Sequence, residues 1–139
     1  MVLKNIEVGM HNVIQRQITE KDTAVDFGTS VIKDLLSTPA LATLMIEASI
    51  ELVDPSLPDG HITIGKTLNI NHQQPTTKGM TVSVNTTISE IKDHKVVFTI
   101  TAYDEIGEIG TGYHERYIVN NNILGENVTK RIKTLRTQP

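Results

Sequence analysis

The sequence predicts an α+β domain in which an antiparallel sheet of about five strands wraps around one long central helix. An apolar stripe at helical spacing predicts the helix; it consists of Leu41, Leu44, Met45, Ala48 and Leu52. Four later segments alternate between apolar and polar residues and are separated by short turns, a pattern typical of antiparallel strands. The 139 residues suit a single domain.

Composition and charge exclude several classes of function. The chain carries 13 basic and 16 acidic side chains, a balance that argues against a broad nucleic-acid surface. It has no cysteine, which excludes disulfides, zinc–thiolate sites and cysteine nucleophiles and favours an intracellular location. The first residues lack the apolar run of a signal peptide, and no stretch approaches the roughly 20 apolar residues of a membrane span. We therefore predict a cytoplasmic protein with neither nucleic-acid nor membrane partners.

The helix is expected to begin at a Thr-Pro pair. Thr38 is the predicted N-cap and Pro39 the first helical residue, because proline lacks the N–H group that would have no partner there. Beside the stripe run a second apolar row and a narrow polar row: Ala42, Ile46, Ile50 and Val53, then Thr43, Glu47, Glu51 and Asp54. A helix that is apolar over most of its circumference has to be covered by other structure. We expect it to end before Asp54.

Alternation predicts where the strands lie. We expect an edge strand at 11–19 and an antiparallel meander formed by segments 61–72, 80–90, 96–103 and 109–119. On the first of the four, one face is expected to hold Ile62, Ile64, Leu68, Ile70 and His72, with Lys66 as the exception. Short helical turns are expected around 23–27 and 30–35.

Three short motifs carry a resemblance to a known family. They are Ser37-Thr38-Pro39-Ala40-Leu41 at the helix start, Ile64-Gly65-Lys66 with Asn71-His72 on the next strand, and Gly110-Thr111-Gly112-Tyr113-His114-Glu115-Arg116 on the last. In this order and spacing the chain resembles the fluoroacetyl-CoA thioesterase family of hot-dog proteins, over about residues 22–119. The resemblance implies a hot-dog domain at 1–120, followed by a polar, basic tail at 121–139 that is either a short helix or disordered.

The resemblance also implies an activity and a set of site residues. It implies a homodimer, or a higher homo-oligomer, that hydrolyses small or medium acyl-CoA thioesters at sites shared between subunits. Coenzyme A would be part of the substrate, with no other cofactor. The family uses a threonine at the helix start, a glutamate on the helix and a strand histidine, and Thr38 and His72 match the first and last. Ile46 occupies the glutamate position, so we expect no preference for a fluorinated acyl group.

The chemistry of these residues leaves alternatives open. A helix N-terminus presents free N–H groups and a positive dipole end to a thioester oxygen. Thr38 lies there, either as a nucleophile or positioning group or simply as a helix cap. His72 is a candidate general base; the alternative is a hydrogen-bonded histidine at a strand end. Glu47 follows Ile46 but lies about 100° further round the helix, in the polar row.

Gly65, Ile46 and Arg116 are candidate substrate contacts. Gly65 allows close approach by a ligand or a backbone, or else marks a bulge. Arg116 is expected to share a strand face with His114 and either to bind a CoA phosphate or carboxylate or to pair within the protein.

A pair of glycines and three histidines are further candidates for ligand contacts. Gly110 and Gly112 lie in a strand pattern with no helix after them, which favours close approach by a partner strand or a pantetheine arm over a nucleotide loop. His11, His61 and His94 show no metal-ligand spacing, so no metal site is expected.

Two other functions are compatible with the sequence. One is a non-hydrolytic acyl-CoA-binding protein on the same scaffold, which Ile46 favours. The other is a hot-dog hydratase or dehydratase, which usually pairs an acidic residue with a histidine on or near the central helix, a pair that the sequence does not show.

Overall fold

The structure, a computed structural model, describes residues 3–24 and 33–137. Its elements are β1 (His11–Gln17), α1 (Thr38–Val53), β2 (His61–His72), β3 (Thr81–Lys92), β4 (Lys95–Tyr103), β5 (Glu108–Asn120) and α2 (Asn121–Thr137). Single 3-10 turns lie at Glu20–Asp22 and Asp54–Ser56. Five strands around a long helix confirm the predicted α+β class. Of the two alternatives for the tail, the structure shows a helix.

The strands form one antiparallel sheet in the order β1-β3-β4-β5-β2. The last three strands form the predicted meander, but β2 pairs with β5 and not with β3. The prediction of a four-strand meander was therefore wrong. Alternation reports which residues share a face, whereas it says nothing about which strand lies alongside. As a result, β1 and β2 are the two edges of the described sheet.

The core lies between α1 and the sheet. All five residues of the predicted stripe on α1 are buried. Two glycines of β5 let the helix come close: a Cβ on Gly112 would lie 2.7 Å from Met45 Sδ, and one on Gly110 would lie 3.4 Å from Leu41 Cδ2 and 2.9 Å from the Asn71 carbonyl oxygen. The close approach at both glycines is thus by α1 and β2 of the same chain. At Gly110 a neighbouring strand, β2, makes part of this approach, and approach by a pantetheine arm stays a prediction.

The N-cap of α1 is Ser37, not Thr38 as predicted. The Ser37 hydroxyl oxygen accepts a hydrogen bond from the N–H group of Ala40 at 3.1 Å, so Thr38 is the first helical residue and Pro39 the second. Serine and threonine are both good N-caps, and proline is tolerated throughout the first turn. The sequence therefore fits Ser37 as the N-cap as well as it fits Thr38. The consequence is that the Thr38 side chain is not used as a cap.

A register shift between Gly65 and Thr67 divides β2 into two halves. The extra residue is Lys66, the one exception to the predicted alternation, and such an insertion moves the following residues to the opposite face. The helix-facing set is therefore Thr63, Gly65, Leu68, Ile70 and His72, whereas Ile62 and Ile64 lie on the outer face. The prediction of a single face for all five apolar and His positions was wrong, although His72 does face the helix.

The segment before α1 is only partly described. The helical turns expected around 23–27 and 30–35 fall largely on residues 25–32, which lie outside the described residues. Within the described part, Thr23 bridges Leu36, and Leu35 bridges Thr77. Neither α1 nor α2 is long and apolar enough to cross a membrane.

Candidate active site

The start of α1 and the end of β2 meet at a pair of polar side chains. Thr38 Oγ1 lies 2.9 Å from His72 Nδ1, within hydrogen-bond distance. The sequence separates the two by 34 positions, and the structure brings them together, as the resemblance led us to expect. The hydroxyl side of this pair faces solvent, because Thr38 is exposed while His72 is half-buried.

Backbone hydrogen bonds hold the two ends in place. The N–H groups of Gln73 and Gln74, which follow His72, both donate to the carbonyl oxygen of Ile109, at 2.7 and 3.1 Å. On the helix side, the N–H group of Leu36 donates to the Thr76 carbonyl oxygen at 2.7 Å. The segment entering α1 and the loop leaving β2 are thus joined directly. This arrangement fixes the spacing between the helix start and the strand end.

A small cleft opens beside the pair. Its volume is about 250 Å³, and it is lined by Leu35, Leu36, Thr38, His72, Gln73, Gln74 and Pro75. Leucine and proline side chains supply apolar surface, and the glutamine amides supply polar groups. Such a mixture suits a short acyl group carrying one polar carbonyl.

The first turn of α1 has few free donors. The Ala40 N–H group bonds to the Ser37 hydroxyl, the Leu41 N–H group bonds to the Ser37 carbonyl, and Pro39 has no N–H group. The Thr38 N–H group has no acceptor among residues 3–24 and 33–137. The helix start therefore presents one backbone donor next to the Thr38 hydroxyl, at the positive end of the helix dipole.

The environment of His72 keeps the imidazole neutral. Burial lowers the pKa of His72 from its usual value of 6.5, and the backbone of Gln74 partly opposes this shift. The second ring nitrogen, Nε2, is buried and has no hydrogen-bond partner in the described part of the chain. A neutral ring with one nitrogen on the Thr38 hydroxyl can accept a proton there. Among the described residues only the Gln74 backbone favours the charged ring, because Nε2 has no hydrogen-bond partner there.

No acidic group of the described helix α1 supports His72. Glu47 Oε2 lies 3.3 Å from Arg16 Nη1 on β1, at the opposite edge of the sheet from β2. Glu47 is therefore a surface residue, as its place in the polar row predicted. Ile46 is half-buried and precedes Glu47 by about 100° of helical rotation.

Arg116 lies in a buried hydrogen-bond network. Only 5% of its surface is exposed; its Nε donates to Thr63 Oγ1 at 2.7 Å and its Nη2 to the Thr63 carbonyl oxygen at 2.9 Å. The Thr63 hydroxyl in turn donates to Asp54 at 2.6 Å. Burial lowers the pKa of Arg116, and the charge of Asp54 opposes the shift. No pattern in the sequence pointed to this network beyond an Asp at the end of the helix.

His114 completes the network on the same strand face, as predicted. Its Nδ1 donates to the Thr67 carbonyl oxygen at 2.7 Å, which leaves Nε2 to accept from Arg116 Nη1 at 3.2 Å. Burial lowers the pKa of His114, with a further lowering by the Arg116 charge. A Cβ on Gly65 would lie 3.4 Å from Arg116 Nη1 and 3.7 Å from His114 Cε1. The network therefore lies directly beneath the backbone of Gly65, which has no side chain.

The predicted site residues thus form two groups. Thr38 and His72 form one, and Gly65 and Arg116 form the other. Seven positions of β2 separate Gly65 from His72, on the order of 20 Å at the usual rise of a strand. Within one subunit the two groups do not meet, and the role of Gly65 and Arg116 in substrate binding stays a prediction.

Comparison with known proteins identifies the family. The sequence model described as fluoroacetyl-CoA-specific thioesterase matches residues 18–122, which is most of the chain. The chain belongs to this family. A curated member, the fluoroacetyl-CoA thioesterase of Streptantibioticus cattleyicolor, is 26% identical over 87 residues, which span 63% of this chain and 63% of that protein.

Solved structures confirm the hot-dog fold of this family member. A hot-dog-like protein from Thermanaerovibrio acidaminovorans is 25% identical, with a TM-score of 0.85 over 89% of this chain and 91% of that one. A mutant of the fluoroacetyl-CoA thioesterase FlK in complex with acetyl-CoA is 21% identical, with a TM-score of 0.82 over 91% and 98% of the two chains.

Proposed function

We propose that this chain is an acyl-CoA thioesterase for small or medium acyl groups, with Thr38 and His72 as its reacting residues. One observation carries the proposal: the 2.9 Å contact between the Thr38 hydroxyl and His72 Nδ1, at the mouth of a cleft of about 250 Å³. A hydroxyl bonded to a neutral imidazole is the arrangement that activates an oxygen nucleophile. Membership of a thioesterase family supports the same chemistry.

The proposed reaction proceeds in two steps. Thr38 Oγ1 attacks the thioester carbonyl carbon, and His72 Nδ1 accepts the hydroxyl proton. When the C–S bond breaks, this proton passes to the departing CoA sulfur, and an acyl ester remains on Thr38. His72 then takes a proton from water, which attacks the ester carbonyl carbon. When the bond from that carbon to Thr38 Oγ1 breaks, the proton returns to Oγ1 and the carboxylic acid is released. The free N–H group of Thr38 is suited to donate to the carbonyl oxygen as negative charge develops there.

The surroundings of His72 favour a slow enzyme. Proton acceptance at Nδ1 leaves a positive ring whose Nε2–H group is buried and has no acceptor among residues 3–24 and 33–137. An unpaired buried charge is costly. The family glutamate would be suited to stabilise that charge, but Ile46 occupies its position. The same features favour the second candidate, a non-hydrolytic acyl-CoA-binding protein.

A homodimer through the β2 edges would complete the site. β2 is a 12-residue edge strand, and an unpaired edge of that length is a template for pairing with another chain. In an antiparallel pair of β2 strands centred near Leu68 and Asn69, Gly65 of one subunit would lie near the partner's His72. Arg116, which lies under Gly65, would then approach the Thr38–His72 pair of the other subunit. Such pairing would unite the two groups of predicted site residues.

The test of function is release of free thiol from a panel of acyl-CoA thioesters. Hydrolysis that depends on Thr38 and His72 supports the enzyme. Saturable acyl-CoA binding without thiol release supports the binding protein instead. Light scattering at micromolar concentration tests the dimer, and a monomer mass would exclude the shared site.

A further inference from the structure

Helix α2 projects from the domain with an uncovered apolar stripe. None of its 17 residues is buried, and at about 1.5 Å per residue it is roughly 25 Å long. The stripe repeats at intervals of four, four and three residues and consists of Leu124, Val128, Ile132 and Leu135. The last three of these are 48%, 44% and 70% exposed. Isolated helices of this length are only marginally stable in water. Packing of the stripe against a second apolar surface would therefore stabilise α2.

Charge is segregated along α2. The first half, 121–129, contains one charged residue, Glu126. The second half, 130–137, contains four cations: Lys130, Arg131, Lys133 and Arg136. A parallel pair of such helices would place the cations of both copies side by side, which is repulsive. An antiparallel pair places the cationic half of each copy beside the half that has no cation.

The apolar stripes of two α2 helices also match each other when the helices are antiparallel. Antiparallel pairing sets Leu124 opposite Leu135 and Val128 opposite Ile132, since the two pairs share a common midpoint near position 130. The base of α2 also holds a notch of about 400 Å³, whose apolar lining includes Ile118, Val119, Ile123 and Leu124. A leucine at the far end of a partner helix would meet this notch.

We propose that α2 pairs antiparallel with α2 of a second copy of this chain, with Leu135 of each copy seated in the notch of the other. The rest of the chain does not favour an anionic membrane as the occupant: residues 1–120 carry 9 basic and 15 acidic side chains, a net charge of −6. This contact is separate from the β2 edge and does not depend on the proposed enzymatic function.

Engineered cysteines test the pairing without background, because the chain has no cysteine of its own. Under oxidation, a mixture of Leu124→Cys and Leu135→Cys chains should form a disulfide-linked heterodimer. Either variant alone should cross-link much less, since its two thiols would be on the order of 16 Å apart along the paired helices. Efficient cross-linking of Leu135→Cys alone would show parallel pairing and overturn the proposal.

A matched pair of substitutions tests the stripe. Val128→Asp places a charge in the stripe, whereas Thr129→Asp places the same side chain about 100° away. We expect Val128→Asp to abolish the Leu124–Leu135 cross-link and to reduce the mass seen by light scattering, and Thr129→Asp to change neither. Melting curves check that both fold. Absence of the cross-link in otherwise unsubstituted chains, or binding of α2 to phosphatidylserine vesicles in its place, would overturn the proposal.

Discussion

The two nitrogens of His72 have opposite environments, and Thr38 accounts for the difference. Nδ1 lies 2.9 Å from the Thr38 hydroxyl, whereas Nε2 is buried and has no hydrogen-bond partner among the described residues. A catalytic imidazole normally has a third group that orients it and stabilises its charged form. Here the proposed nucleophile and the proposed base are in contact, and the described residues of the same subunit provide no stabilising group.

Restoring a carboxylate at Ile46 should therefore raise turnover. Ile46→Glu places an acid two helical turns after Thr38. Its risk is a buried charge, which costs several kcal/mol or keeps the glutamate protonated. The measurement is thiol release by wild type and Ile46→Glu, with Glu47→Gln as the neighbouring control and a melting curve for each. A folded Ile46→Glu variant that is no faster on any thioester would show that this row does not line the site.

The glycines of β5 predict a contrast in stability. At Gly112 a methyl group would lie 2.7 Å from Met45 Sδ, whereas no atom of the described residues lies within 4 Å of the corresponding position at Gly125 on α2. Gly112→Ala should therefore destabilise the fold by about 1–3 kcal/mol, as overpacking does. Gly125→Ala should instead stabilise α2 by roughly 0.5–1 kcal/mol, because glycine is a poor helix former. Urea unfolding of both variants measures the two effects. Equal effects from the two substitutions would contradict the close helix packing.

The sequence predicted the elements better than their arrangement. The stripe on α1 was confirmed, because periodicity directly reports one buried face, and the predicted bounds of β2 match the strand. The position of β2 beside β5 was missed, since pairing depends on long-range contacts that alternation does not encode. The bulge at Lys66 is visible in the sequence as a charged residue that breaks the alternation. The prediction treated Lys66 as a single exception, whereas in the structure the residues after it lie on the opposite face.

The site shows the same limits. Thr38 and His72 were predicted by resemblance, and the structure brings them into contact. The N-cap is Ser37 and not the predicted Thr38, because serine and threonine are about equally favoured at that position. The partners of Arg116 lie on a strand and at a helix end far away in sequence, so no local pattern pointed to Thr63 or Asp54.

Acid should destabilise this protein before its carboxylates titrate. The pKa values of His72 and His114 are both lowered from 6.5 in the folded state by burial. A lowered folded pKa means that the unfolded chain binds protons more readily, so this stability is present above about pH 6.5 and is lost as the pH falls below it. Urea unfolding at a series of pH values from 7.5 to 5 should show a falling free energy of unfolding. His114→Gln should flatten the slope, and stability that rises on acidification would contradict the assignment.

The most direct test of the account is thiol release by variants of the Thr38–His72 pair. Against the best acyl-CoA of a panel, His72→Ala should lower turnover by roughly 10²-fold or more, the range typical of acid–base groups. Thr38→Ala should cause a comparable loss, Thr38→Ser should retain activity because it keeps the hydroxyl, and Thr43→Ala, an exposed threonine of the same helix, should change little. Melting curves confirm folding, so that rates are compared per folded molecule. Wild-type turnover by folded His72→Ala and Thr38→Ala would show that this pair is not the site of thioester hydrolysis.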